Sequence, residues 1–123
     1  MFTNYLYIKI FKDAFEIRLL GKDQASSRHT PSHPFTTSRL LVGTFSAAEA
    51  CLKPVIKETL GKSSLFSSAK IVMHPMEMCE GGLSEVEERI FMELAFGSGA
   101  RQVKVHVGAE LDDTQVLEML KKA

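Results

Sequence analysis

Apolar and polar residues alternate from the start of the chain. Leu6, Ile8 and Ile10 share one side of an extended segment, and after Lys12-Asp13 the alternation resumes with Phe15, Ile17 and Leu19. This spacing predicts a hairpin with one buried face. Glu16 and Arg18 then point to a solvated or thinly covered face. Between Gly21 and Ser38 the pattern gives way to Ser26, Ser27, Pro31, Ser32 and Pro34. Without periodicity, residues 22–38 are expected as a long, mobile surface loop. A third short strand is expected at Arg39–Gly43, around Leu40-Leu41-Val42.

Ser46-Ala-Ala-Glu49 has the form of a capping box and predicts a helix start. Leu52, Val55, Ile56 and Leu60 continue at helical spacing to a stop at Gly61, and Pro54 should kink or split the helix. Ala69 to His74 reads as a nearly continuous apolar strand, the pattern expected when helices cover both faces of a parallel sheet. Ser84-Glu-Val-Glu87 is a second capping box, followed by an apolar stripe of Val86, Ile90 and Leu94, with Phe91 and Ala95 beside it and a break at Gly97. Val103, Val105 and Val107 alternate with Lys104 and His106 as another strand. Asp112 begins a final helix with Val116, Leu117 and Leu120 inward and Lys121 and Lys122 near its negative end. The predicted order is βββαβαβα in one α/β domain with a mixed sheet. An antiparallel meander followed by right-handed crossovers is the arrangement of the ribonuclease H-like fold, which is also the core of each actin-type domain.

Composition narrows the class of protein. A chain of 123 residues, 45% apolar and 24% charged, fits a single domain spanning residues 1–123 and not a disordered tail or a disulfide-stapled miniprotein. Fifteen basic and fifteen acidic residues cancel to a formal charge of +0. That balance supplies none of the general phosphate attraction of nucleic-acid binders, so no nucleic-acid partner is expected. No basic segment precedes the first apolar run, and Lys9 interrupts that run. Neither a signal peptide nor a transmembrane segment is therefore expected, and the location is read as cytoplasmic. Cys51 and Cys79 are read as two reduced thiols.

Several residues invite a chemical reading. Gly61-Lys-Ser-Ser resembles the tail of a phosphate loop, but Ile56 stands where that loop needs its first glycine, so a helix cap and turn is preferred. Gly81-Gly82 could bring amides to an anion, yet Glu80, Glu85, Glu87 and Glu88 crowd the same helix start with negative charge. His29 and His33 lie among prolines and serines and are read as solvated loop residues. His74 and His106 fall at or near the C-terminal ends of adjacent predicted strands, where open sheets bind ligands. With Cys79 they form the weak candidates for a zinc site or a Cys-His nucleophile, although no tight ligand spacing or orienting carboxylate supports either. Asp13, Glu49 and Asp112 are scattered and form no constellation for paired magnesium ions. Met73, Met76 and Met78 are read as core and loop packing rather than a soft-metal site.

Met1-Phe-Thr-Asn4 with the hairpin after it, Thr44 to Leu60, and above all Ser84-Glu-Val-Glu-Glu-Arg89 through Gly97-Ser-Gly-Ala-Arg-Gln-Val103 resemble the MreB family of bacterial actin-like proteins. The likeness covers roughly two thirds of the chain and omits Lys22 to Arg39. The resemblance implies one actin-like subdomain. In that family the first hairpin supplies an acid, a glycine and a threonine to the metal and phosphates of ATP. Here Lys9, Phe11 and Lys12 occupy those positions, and Gly108-Ala-Glu110 replaces a glutamate pair. Phe11 puts a side chain where backbone must approach phosphate, and Lys9 cannot ligate magnesium. Neither ATP nor any other cofactor is therefore expected. The resulting expectation is a non-catalytic, pseudo-ATPase scaffold or interaction domain linked to cytoskeletal or cell-shape machinery, with a protein partner or a homodimer. The alternatives are a small metal-dependent hydrolase using His74, Cys79 and His106, and a ligand-sensing domain.

Overall fold

A computed structural model describes residues 2–21, 25–61 and 67–121. The opening alternation forms strands β1 (Phe2–Phe11) and β2 (Ala14–Leu19). They pair antiparallel, with Leu6 opposite Leu19, Ile8 opposite Ile17 and Ile10 opposite Phe15, which makes one hairpin face wholly apolar. At the turn Asp13 takes φ 52°, a left-handed conformation that aspartate tolerates better than most residues. Its carboxylate then accepts from the amides of Phe35 and Thr36, each at 2.8 Å.

That anchor changes the picture of the segment expected to be a mobile loop. Lys22, Asp23 and Gln24 lie outside the described residues, but Ser27–His29 form strand β3, antiparallel to β2. Phe35 is fully buried and stacks on Phe15 with ring centroids 4.9 Å apart. The third strand is therefore not at Arg39–Gly43. There the backbone groups are met locally: Leu40 N–H donates to Thr37 Oγ1 at 3.1 Å, and Thr36 Oγ1 donates to the Leu41 carbonyl at 2.7 Å. Leu41 and Val42 still reach the core, but from an irregular turn. Gly43 is required in this turn because a Cβ would come within 2.2 Å of Thr37 Oγ1.

Helix α1 (Phe45–Leu60) starts one residue before the expected cap. Thr44 is its N-cap, with no side-chain bond, so Ser46 and Glu49 form no capping box there. The start is set by tertiary contact instead, since the amides of Gly43 and Thr44 both donate to the Phe35 carbonyl at 2.9 Å. The helix runs through Pro54 without splitting. Both Pro54 and Ala50, whose carbonyl loses its partner, are exposed, so water can satisfy the vacant acceptor. Gly61 ends the helix at φ 60°. Lys62, Ser63 and Ser64 of the phosphate-loop look-alike lie outside the described residues.

Strand β4 (Ser67–Pro75) pairs parallel with β1, and β5 (Ala100–Val105) pairs parallel with β4. Helix α2 (Glu85–Gly97) joins them and begins with the expected reciprocal box: Glu87 N–H donates to Ser84 Oγ, and Ser84 N–H to Glu87 Oε1. Helix α3 (Asp113–Lys121) is capped by Asp112, whose Oδ1 accepts from Gln115 N–H at 2.8 Å. Lys122 lies outside the described residues. Strand β5 ends before Val107 because the chain turns at Gly108, φ 127°, once His106 N–H has donated to the Met73 carbonyl.

The result is a small α/β domain whose mixed sheet is ordered β3-β2-β1-β4-β5. On one face Leu6, Ile8, Ile10, Phe15, Ile71 and Met73 pack under Ala48, Leu52 and Ile56 of α1 and Phe91, Leu94 and Ala95 of α2. On the other, Val116 and Leu120 of α3 cover Tyr7, Leu20 and Val72. Among the described residues no helix is long and apolar enough to cross a membrane.

Candidate functional site

β1, β4 and β5 run parallel, so their C-terminal ends share one edge of the sheet, and Lys9 lies opposite His74 in the ladder. Period-two alternation places Tyr7, Lys9 and His74 on the face that α3 covers. His74 is 1% exposed and bonded on both ring nitrogens. Its Nε2 lies 3.0 Å from the Gly108 carbonyl, and its Nδ1 lies 2.6 Å from the Tyr7 hydroxyl. A carbonyl only accepts, so Nε2 carries the proton and Nδ1 accepts from Tyr7. The Tyr7 oxygen in turn accepts from Leu111 N–H at 3.1 Å. One relay thus ties β1 and β4 to the 108–111 segment that leads into α3.

Burial is the main cause that lowers the His74 pKa below the ordinary histidine value; the nearby His106 and Lys9 push the same way, against the Gly108 carbonyl. Burial likewise raises the Tyr7 pKa. The His106 ring meets His74 edge-on with centroids 4.7 Å apart, and its Nε2 donates to the Ala109 carbonyl at 2.8 Å. Lys9 forms an ion pair with Glu110 and holds its ammonium 5.5 Å from the Tyr7 ring centroid. The two histidines predicted at or near the ends of adjacent strands are therefore neighbours, but they brace the crossover into α3.

Cys79 does not complete their site. Its thiol donates weakly to the Pro75 carbonyl at 3.7 Å, and burial together with Glu80 and Glu87 pushes its pKa up, away from the thiolate that metal binding or attack requires. Among the described residues no three His, Cys, Asp or Glu side chains converge as a metal-holding group. The three scattered acids have separate structural tasks: Asp13 fastens the 35–36 backbone, Glu49 lies against Gly97, and Asp112 caps α3. Met73 is in the core, with Met78 packed against it.

At the hairpin end of the same edge stand Lys9, Phe11 and Lys12. The Lys12 amide donates to Glu77 Oε2 at 2.6 Å and the Asp13 amide to Thr36 Oγ1 at 3.0 Å. Phe11 lies under the Arg28 guanidinium, 4.9 Å from the ring centroid, and Arg28 also pairs with Glu16 at 2.9 Å. His29 and His33 line a cleft of about 500 Å³ between the 28–33 segment and α1, with Cys51, Pro54 and Val55 forming part of its apolar wall. His29 bonds Ser27 Oγ at 2.8 Å.

The sequence reading missed Tyr7 and Glu77, and it named Glu110 only as part of the segment replacing a glutamate pair, not as the partner of Lys9. Tyr7 carried the one available signal, a phenol at a position that the alternation assigns to the second sheet face.

Fold and site together define a small mixed-sheet α/β protein whose strand-end polar groups are bonded to one another. The chain is 36% identical over 128 aligned positions to the uncharacterized protein YjaA of Escherichia coli (strain K12), an alignment covering 97% of this chain and 98% of that protein. It belongs to the YjaA family. No protein-family model matches the chain.

Proposed function

We propose that this chain is a non-catalytic, actin-like subdomain of the MreB type that acts by protein association and has no nucleotide turnover. The ribonuclease H-like part of this reading is supported by the β3-β2-β1-β4-β5 order and by helices on both faces. The observation that carries the functional part is the hairpin turn. A phosphate docking there needs free amides, but those of Lys12 and Asp13 already donate to Glu77 Oε2 and Thr36 Oγ1. The Glu77 carboxylate puts a built-in negative charge where the ligand's own would have to enter, and like charges in close contact repel. Lys9, held by Glu110, stands in place of a magnesium-ligating acid. A cytoplasmic location and a role beside a cytoskeletal or cell-shape assembly belong to the same reading. The hydrolase alternative draws less support, because the Nδ1 lone pair of His74 is taken by the Tyr7 proton.

Isothermal titration of the full chain with Mg-ATP tests the proposal. The expected result is no heat of binding; affinity in the micromolar range would overturn it.

A further inference from the structure

Among the described residues, three of the four exposed large apolar side chains, Phe45, Val86 and Phe96, sit at one surface of the α1–α2 layer, at 36%, 67% and 44% exposure. Phe45, Val86 and Ile90 line one groove, Met92 and Phe96 line another, and Arg89 with Glu93 belongs to both, so the strip is continuous. Its two ends carry opposite charge. Glu85 and Glu88 stand in the first turn of α2. Glu49 lies against Gly97 at the far end of α2, where a Cβ would come within 2.7 Å of its carboxylate. Lys53 and Lys57, about one and two turns further along α1, continue the strip past the end of α2 in a groove that Glu49, Ala50 and Pro54 also line, so that two cations face one carboxylate there. Arg89 and Glu93 face each other at 3.7 Å, whereas Glu85, Glu88, Lys53 and Lys57 have no ion-pair partner among the described residues.

We propose that this face is a self-association surface and that its occupant is a second copy of the chain. A strip that is acidic at one end, apolar in the middle and basic at the other is complementary to itself under a two-fold rotation. Glu85 and Glu88 of each protomer then meet Lys53 and Lys57 of the other, while the exposed aromatic residues close over the middle. A purely basic peptide would match the acidic end and oppose the lysines, so the charge order favours the second copy. The inference rests on the association reading above and gives it a partner and a surface.

Light scattering of the full chain tests it. The expected mass is twice 13.7 kDa, and Phe96→Glu should return it to 13.7 kDa with the circular dichroism spectrum unchanged. Val86→Glu, at the most exposed apolar position, provides a second test should the first variant fold poorly. Lys53→Glu with Lys57→Glu, and separately Glu85→Lys with Glu88→Lys, should each weaken the dimer about tenfold or more. Mixing the two charge-reversed proteins should restore a dimer. A monomeric wild type, or a dimer indifferent to both charge reversals, would overturn the proposal. A monomer that still ignores Mg-ATP would sink this surface and leave the non-catalytic reading standing; a dimer that binds nucleotide would do the reverse.

Discussion

The two faces of the sheet are held by different chemistry. Beneath α1 and α2 the contacts are almost wholly hydrocarbon, with Leu52, Ile56, Ile71 and Leu94 fully or nearly fully buried. Beneath the shorter α3 an apolar patch of Val72, Val116 and Leu120 adjoins the Tyr7–His74 relay and two ion pairs, Lys9 with Glu110 and Arg18 with Asp113. The first face gains stability in proportion to area removed from water. The second fixes one arrangement of the 108–112 segment, because each buried polar group there would be left unsatisfied in any other.

Removing a side chain from each face should separate these roles. Leu52→Ala should lower the unfolding free energy by about 2–5 kcal/mol, through lost transfer energy and the cavity left behind. Urea denaturation checks this, and a loss below the lower bound would mean that the α1 face can collapse around the gap. Tyr7→Phe keeps the ring but strands both the His74 Nδ1 lone pair and the Leu111 amide. It should cost about 1–3 kcal/mol and raise hydrogen exchange at Leu111 selectively. No effect on that amide would remove the relay from the account.

Acidification should discriminate more finely. The His74 pKa is lowered in the folded chain, while the unfolded chain takes up its proton near the ordinary value of about 6.5. In the window between the two values the unfolded state binds more protons, so stability rises with pH. The His74 contribution is complete above the unfolded value, declines as pH falls below it, and levels off below the folded one. Denaturation midpoints measured across that window should show this slope, and His74→Gln should flatten it even if the variant is less stable throughout.

What the sequence disclosed follows the same division. The hairpin from Leu6 to Leu19 and the box from Ser84 to Glu87 were legible because their determinants lie a few residues apart, in alternation or at cap spacing. The start of α1 was displaced from Ser46 because the Phe35 carbonyl, distant in sequence, anchors Gly43 and Thr44. The apolar run Leu40-Leu41-Val42 looked like a strand, yet Thr36 and Thr37 satisfy its backbone, while the polar Ser27–His29 segment extends the sheet. The site divides similarly. Adjacent strand ends could be inferred for His74 and His106, but the bond between Tyr7 and His74 joins residues 67 positions apart and depends on sheet register. Glu77 reaches the Lys12 amide across 65 positions, with no local pattern to announce it.

That last contact bears directly on the proposal that the chain turns over no nucleotide. Amide-resolved NMR of the chain during titration with Mg-ATP reads the hairpin turn residue by residue. With Glu77 and Thr36 holding the turn, the resonances of Lys12 and Asp13 should stay in place at millimolar nucleotide. Saturable shifts centred on those two amides would contradict the account.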